Sequence, residues 1–349
     1  MKSLKYYNIY MFISTFTRNI IDIYSVVYLY QKLNNIKAII GMYALIYFLG
    51  AIISVISIVL SNKIGSKYIL IFSSIITGIT FYMMNKINNI IMLSLFLSLS
   101  IFTYHPIKHY YGIKLLNNKQ KIASTILLTY IAAIISSYFA IRKINYIYLI
   151  LITIISIIPT MFIKKEPTEK IKYPKTLSKP KISFFIFDQT KIIFLLLQPL
   201  YLYTISNNLK YVGIFNIIIA ISSITFIYIF INKYDIENNY KTINILFVLT
   251  LLLKLNTTNN IILLLIAIIE GIGIKTNEVV STINLYKNEK NEIGYLIVCE
   301  IIFCLTRTLI LLIIYIMNLK LKTALYLLLI GIFVLSFVYK KDTNKVSNS

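Results

Sequence analysis

The sequence predicts an all-α polytopic membrane protein, with about twelve transmembrane helices in two pseudo-symmetric six-helix bundles. Three observations carry that prediction. Apolar runs near bilayer-spanning length fill almost the whole chain, basic residues gather in alternate loops between them, and the second half echoes the first. A hydrocarbon core about 30 Å thick is crossed by roughly twenty helical residues, which sets the length to look for. Of the 349 residues 58% are hydrophobic and only 13% charged, whereas soluble domains sit near about 45–50% apolar with about a quarter charged. Little chain remains for an appended soluble module.

Taken in order, the expected spans are 9–30, 38–60, 68–84, 90–112, 122–141, 144–163, 184–205, 211–231, 242–257, 261–283, 293–317 and 323–339. The ninth is the shortest, and Lys254 and Asn256 make its end polar. Between the sixth and seventh lies the longest hydrophilic stretch, Lys164 to Lys181, with Pro167, Pro174, Pro180 and seven lysines. The expected layout is an N-terminal bundle (1–163), a basic linker (164–183), a C-terminal bundle (184–341) and a short tail (342–349). The first run is full length and no small-residue cleavage site follows it, so it reads as a permanent span.

The formal charge of +23 does not indicate a nucleic-acid binder, because the lysines are spread through loops and form no single soluble face. Orientation explains them better. One alternating set of segments, including both termini and the linker, holds 23 basic residues and the opposite set nine. The positive-inside rule then puts both termini and the linker in the cytoplasm, and an even span number agrees. Cys299 and Cys304, five residues apart in one apolar run, point to different helix faces and cannot pair.

The two halves repeat. Ser61-Asn62-Lys63 after the second span is matched by Ile231-Asn232-Lys233 after the eighth. Arg18 and Asp22 of the first span correspond to Asp188 and Lys191 of the seventh, and Lys108 of the fourth to Lys275 of the tenth. Duplicated bundles are the build of many secondary transporters.

The loop after the second span reads Leu60-Ser61-Asn62-Lys63-Ile64-Gly65-Ser66-Lys67. It resembles the cytoplasmic loop signature of the major facilitator superfamily, Gly-x-Leu-x-Asp-Arg-x-Gly-Arg-Lys. Leu60, Lys63, Gly65 and Lys67 match in type, while Asn62 replaces the acid, Ser66 a basic residue and Ile58 the leading glycine. A degraded echo, Asn232-Lys233-Tyr234-Asp235, follows the eighth span. Independently of any family, Gly65 suits a turn with positive φ between two helices, and Lys63 and Lys67 suit an anionic membrane surface. The resemblance implies two six-helix bundles around a central cavity lined by the first and seventh helices. Two departures limit it: the fifth span has no Gly or Pro, unlike the family's drug–proton antiporters, and Asn62 weakens the loop's charge latch. Lys108-x-x-x-Gly112 is similar to a basic pattern of the family's fourth helix.

A charge at the bilayer centre costs several kcal/mol, so intramembrane charges are paired or face water. Arg18 and Asp22, four apart, share a helix face and lie within pairing reach, and Asp188 and Lys191, three apart, do likewise. Glu300 and Arg307 are close to two turns apart, about 10 Å along the axis, so each expects a partner on another helix. Glu270, followed by Gly271 and Gly273, has no obvious local cation; it is the first candidate for a proton-coupling carboxylate and Asp22 the second. The alternative for each is a structural bridge, for Glu270 to Lys275 or Arg307. His105 and His109 are spaced for metal, but Pro106 distorts the helix and no acid or cysteine is near, so packing is expected. The pairs Tyr110 and Tyr111, Tyr146 and Tyr148, and Tyr201 and Tyr203 read as interfacial belt.

No phosphate-binding glycine loop and no acid-rich magnesium motif appears, so neither an ATPase nor an enzyme is expected, and no cofactor or metal. The expected function is a secondary or facilitative transporter moving a small solute by alternating access, possible coupling being to protons or another ion. Arg18 and Lys191 would hold an anionic group, and Glu270, Asp22 or Glu300 a proton. Expected partners are the solute and membrane lipid, without nucleic acid, in a monomer at the cell membrane. The rival readings are a lipid or glycolipid flippase and a non-transporting polytopic subunit.

Overall fold

The computed structural model describes residues 2–21, 25–86, 89–115, 119–141, 146–163, 171–172, 179–230, 236–286 and 293–339. Asp22, most of the linker, the echo motif at 232–235 and the tail lie outside them. The elements are α1 (Lys2–Asn19), α2 (Ser25–Leu33), α3 (Ile36–Ile64), α4 (Ser66–Lys86), α5 (Ile90–Phe102), α6 (His105–Leu115), α7 (Lys119–Ile141) and α8 (Tyr146–Ile155). Then follow α9 (Ile157–Met161), α10 (Lys179–Ser206), α11 (Leu209–Phe230), α12 (Ile236–Asn256), α13 (Asn260–Tyr286), α14 (Ile293–Ile316) and α15 (Leu321–Val338).

Helix is what an apolar chain must adopt where no water can satisfy its backbone. Among the described residues eight segments are long and apolar enough to cross a membrane: α3, α4, α5 with α6, α10, α11, α13, α14 and α15. The other four expected spans are helical too, but broken, short or charged. The first, read as one helix over 9–30, instead begins at Lys2 and passes into a π turn after Asn19, and its later described part is α2, from Ser25. The fourth breaks at Thr103 and Tyr104 ahead of Pro106, and the sixth at Ser156 ahead of Pro159. Proline has no N–H to donate and crowds the preceding turn, which accounts for both breaks. The ninth runs longer than expected, as α12, and carries Lys254 inside its last turn.

Asparagine punctuates these helices. Asn34 and Asn207 take positive φ (47° and 48°) and donate N–H back to Tyr30 and Tyr203, ending α2 and α10. The next residues start new helices: Asn35 Oδ1 accepts from the Ala38 N–H at 3.0 Å, and Asn208 Oδ1 from the Lys210 N–H at 2.9 Å. Asn89 caps α5 and Asn259 caps α13 in the same manner. Each device in the first half therefore has a partner in the second. Asn tolerates the left-handed region and its short amide satisfies orphan N–H groups, so it serves both jobs. Gly65 closes α3 with φ 108° while its N–H reaches Ser61 O at 2.9 Å, as the loop reading required.

Helix packing repeats in the same way. In the first half α1 packs on α7 and α8, α3 on α5, α4 on α5 and α8. In the second, α10 packs on α14 and α15, α11 on α13, α12 on α13 and α15. The halves join through α3 with α14 and α7 with α11, which are themselves counterparts. Large apolar side chains such as Phe48, Ile52 and Ile56 on α3 and Leu309 and Ile313 on α14 are exposed, as lipid-facing positions are.

Gly271 permits the closest helix approach: a Cβ there would lie 2.5 Å from the Ile219 carbonyl oxygen and 1.9 Å from Ser222 Oγ. Ser223 adds a bond to the Gly271 carbonyl at 2.8 Å. Gly271→Ala should force α11 from α13 and cost about 1–3 kcal/mol. Unchanged thermal unfolding of the purified variant in detergent would show that the contact has slack.

Candidate substrate pathway

Arg18 is buried (4% exposed) within the first half. Its guanidinium donates to the Ser100 carbonyl and Ser73 hydroxyl, and to Thr77 Oγ1 at 3.0 Å. It also stacks 3.9 Å over the Tyr104 ring. These groups come from α4, α5 and the turn before α6, so Arg18 clamps three neighbours of α1. Serine and threonine placed on facing helices supply the acceptors.

Glu270 does have a cation, and it is neither Lys275 nor Arg307. Lys254 Nζ lies 2.9 Å from Glu270 Oε2 and 3.3 Å from Oε1, with both side chains essentially unexposed. Lys254 also sits 4.2 Å over the Phe215 ring. The sequence placed Lys254 at the outer end of its span, but a long stem carries the ammonium back along the helix toward Glu270. The carboxylate chosen first for proton coupling is thus an internal tie between α12 and α13.

Lys275 pairs instead with Glu278 on its own helix, at 2.9 Å. Lys275 is fully buried while the Glu278 side chain is 45% exposed, so the pair runs from the interior toward the surface. Tyr130 of α7 donates to Glu278 Oε2 at 2.9 Å, a hydrogen bond between the two halves. Lys108 and His109 of α6 stand close enough to feel the Glu278 charge. The sequence reading passed over Glu278 and Tyr130. The Lys275/Glu278 spacing of three residues was the available signal for the first, and nothing local pointed to the second.

Asp188 and Lys191 form the pair their spacing allows, and Ser281 of α13 joins it, donating to Asp188 Oδ1 at 2.9 Å. Gln189, beside them on α10, accepts at 2.7 Å from Arg307 Nε. The Arg307 guanidinium lies 5.1 Å from the centre of the Tyr47 ring on α3. Glu300 is buried (5% exposed) and makes no hydrogen bond or ion pair among the described residues. Both charges lie on the α14 face turned to α3. These two helices run antiparallel, with Tyr315 against Gly41 near one end and Leu296 and Ile297 clustered with Ile58 near the other. Arg307 lies near the middle of that seam, and Glu300 one turn in from its Ile297 end.

In the loop motif Asn62 is buried, Lys63 is exposed and Lys67 lies 5.0 Å over the Tyr68 ring. His105 stacks edge-on against Tyr104, and no cluster of metal-ligating side chains exists among the described residues. Two tyrosines assigned to the interfacial belt are buried: Tyr110, and Tyr201, which donates to the Leu255 carbonyl at 3.1 Å. Asn244 and Asn277, missed in the sequence, join α12, α13 and α15 through Tyr240, Ser336 and the Ile332 carbonyl. Lone asparagines within apolar runs were the signal.

No family model matches the chain, and no curated protein is similar to it at a significant level. Solved structures do share its fold. A crystal structure of the nucleoside transporter NupG superposes with TM-score 0.68 at 14% identity, covering 97% of this chain and 98% of that one. A bacterial homologue of the iron transporter ferroportin, in an outward-facing state, gives 0.67 at 12% identity over the same shares. The human organic anion transporter MFSD10 gives 0.66 at 8% identity, again over 97% and 98%. At such identities the likeness establishes the fold.

Lys254→Met strands a buried carboxylate and should destabilise by about 3–5 kcal/mol, while Lys254→Met with Glu270→Leu should recover most of the loss. Thermal unfolding in detergent checks this. A double variant no better than the single one would mean that the pair does more than neutralise itself.

Proposed function

We propose that this chain, which has the major facilitator superfamily fold, is a secondary transporter that moves a small solute by alternating access. Two bundles of six spans, 1–163 and 184–341, would rock about a central site, with the 164–183 linker and both termini in the cytoplasm of a plasma-membrane protein. The basic bias supporting this orientation survives removal of Lys108, Lys254 and Lys275, which lie inside helices. The repeated packing of α1–α9 in α10–α15 supports the twofold division.

One observation carries the reading: the seam between α3 and α14 holds Arg307 midway along its length, with Glu300 on the same helix one turn in from the Ile297 end. Isolated charges at such depth are tolerated where the surface around them opens to water or solute. Two further contacts between the halves, on other helices, are ones that a rocking motion would break in turn. Toward one end Gln31 donates to Tyr203 Oη at 3.0 Å, and toward the other Tyr130 donates to Glu278. Arg307, oriented by Gln189 and Tyr47, would contact the solute, and Glu300 would carry the coupling proton. Asp188, Lys191, Arg18 and Glu270 are assigned to holding the bundles in shape. Asn62, Lys63, Gly65 and Lys67 form the hinge between α3 and α4, turned by Gly65.

Reconstituted in proteoliposomes with a proton gradient, the protein should accumulate a solute found by a ligand-stabilisation screen. Glu300→Gln should abolish gradient-driven uptake and spare solute exchange. Gradient-driven uptake by Glu300→Gln at the native rate would remove Glu300 from coupling. Tyr130→Phe deletes one hydrogen bond to a charged group, so the state open on that side should gain population about tenfold. Cysteine accessibility on the two faces of the membrane reads that shift, and unchanged labelling would exclude Tyr130 as part of the closure.

A further inference from the structure

We propose that the solute bound in this seam is an oxyanion, presenting a carboxylate or phosphate group to Arg307 of α14 and Lys108 of α6. The inference rests on the transporter reading of the same site and names its substrate class. Charged and titratable groups on the elements around the junction of the halves are Lys108 and His109 on α6, Asp188 and Lys191 on α10, Lys275 and Glu278 on α13, and Glu300 and Arg307 on α14. Tyr130 of α7, Tyr47 of α3 and Cys304 of α14 are the neutral titratable neighbours. Asp188 cancels Lys191, and Glu278 is held by Lys275 at contact distance. Of these groups, Lys108 and Arg307 are then the cations, and Glu300 the carboxylate, without an ion pair among the described residues.

Glu300 does not neutralise Arg307 by contact. It sits close to two turns away on the same helix, about 10 Å along the axis, and makes no ion pair among the described residues. The Arg307 guanidinium is held through Nε by Gln189 at 2.7 Å and by the Tyr47 ring. Its outer N–H groups make no hydrogen bond among the described residues, so a fixed fork faces the seam. Such a fork fits two oxygens of a carboxylate or phosphate at once. Lys108 is half-buried, and its ammonium has no hydrogen bond or ion pair among the described residues. Helix α6, which carries Lys108, packs on α14, which carries Arg307. A neutral or cationic solute would leave both of them uncompensated as the seam closes. An oxyanion compensates them, and a proton on Glu300 would strengthen its binding, just as the bound anion would favour that proton.

The full chain in detergent would be titrated calorimetrically with inorganic phosphate, sulfate, succinate and citrate, and with uridine and choline as neutral and cationic probes. At least one anion should bind, more tightly at lower pH. Arg307→Gln and Lys108→Gln should each weaken it about 10- to 100-fold, and exposed Lys210→Gln should leave it unchanged. Lys108 makes no side-chain hydrogen bond or ion pair among the described residues, so its variant keeps the test sharp if Arg307→Gln fails to fold. Binding of phosphatidylglycerol in nanodiscs, lost in the same variants and without any soluble anion binding, would support the site and identify a lipid headgroup as the source. Binding or uptake of uridine or choline with no anion bound would overturn the inference and leave the transporter reading standing. Anion binding indifferent to both variants would overturn the site. Variant-sensitive binding without transport of any solute would support the site and sink the transporter reading instead.

Discussion

Hydrocarbon offers no hydrogen bonds, so every N–H, carbonyl and charge carried into the bilayer must find its partner within the protein. That constraint makes each span a helix and decides where a helix can stop. It also explains why asparagine does so much in this chain. Asn34, Asn35, Asn207 and Asn208 finish and restart helices in short loops with their own amides, and Asn244 and Asn277 bond α12, α13 and α15 where no water is available.

The same constraint sorts the charges into two kinds. Arg18 is surrounded by hydroxyls, a carbonyl and an aromatic face, and Lys254 by Glu270 and Phe215; each is satisfied inside a single half. Such ties hold the helices of one half in register. Arg307, Glu300 and the Tyr130–Glu278 bond instead lie where one half meets the other. A surface that separates and closes again can be wetted in one state and dry in the next. Charges on such a surface would respond to conformation, whereas charges buried within a half would not.

Spacing on one helix foretold some of this arrangement. The Asp188–Lys191 pair forms at three residues, Gly65 supplies its positive φ, and Glu300 and Arg307 share a face. It misled where a partner had to come from another helix. Glu270 lacks a cation nearby in sequence because Lys254, sixteen positions earlier, stands at the polar end of the preceding span. Tyr130 and Glu278 are far apart in the chain, and only packing of the halves joins them. Proline breaks at Pro106 and Pro159 were visible as residues, but an apolar run conceals a break when its flanks remain hydrophobic.

By itself the sequence determined that the chain is helical and membrane-spanning, which loops are basic, and that its halves echo one another. These properties follow from composition and local periodicity, which are averages over many residues and survive individual exceptions. Only the tertiary structure decided which charge meets which. That choice depends on helix rotation and depth, where a shift of one residue turns a side chain by about 100° and moves it from a neighbour's carboxylate to lipid. The identity of the seam residues belongs to this second kind of information, because α3 and α14 are brought together by the fold and by nothing in their separate sequences.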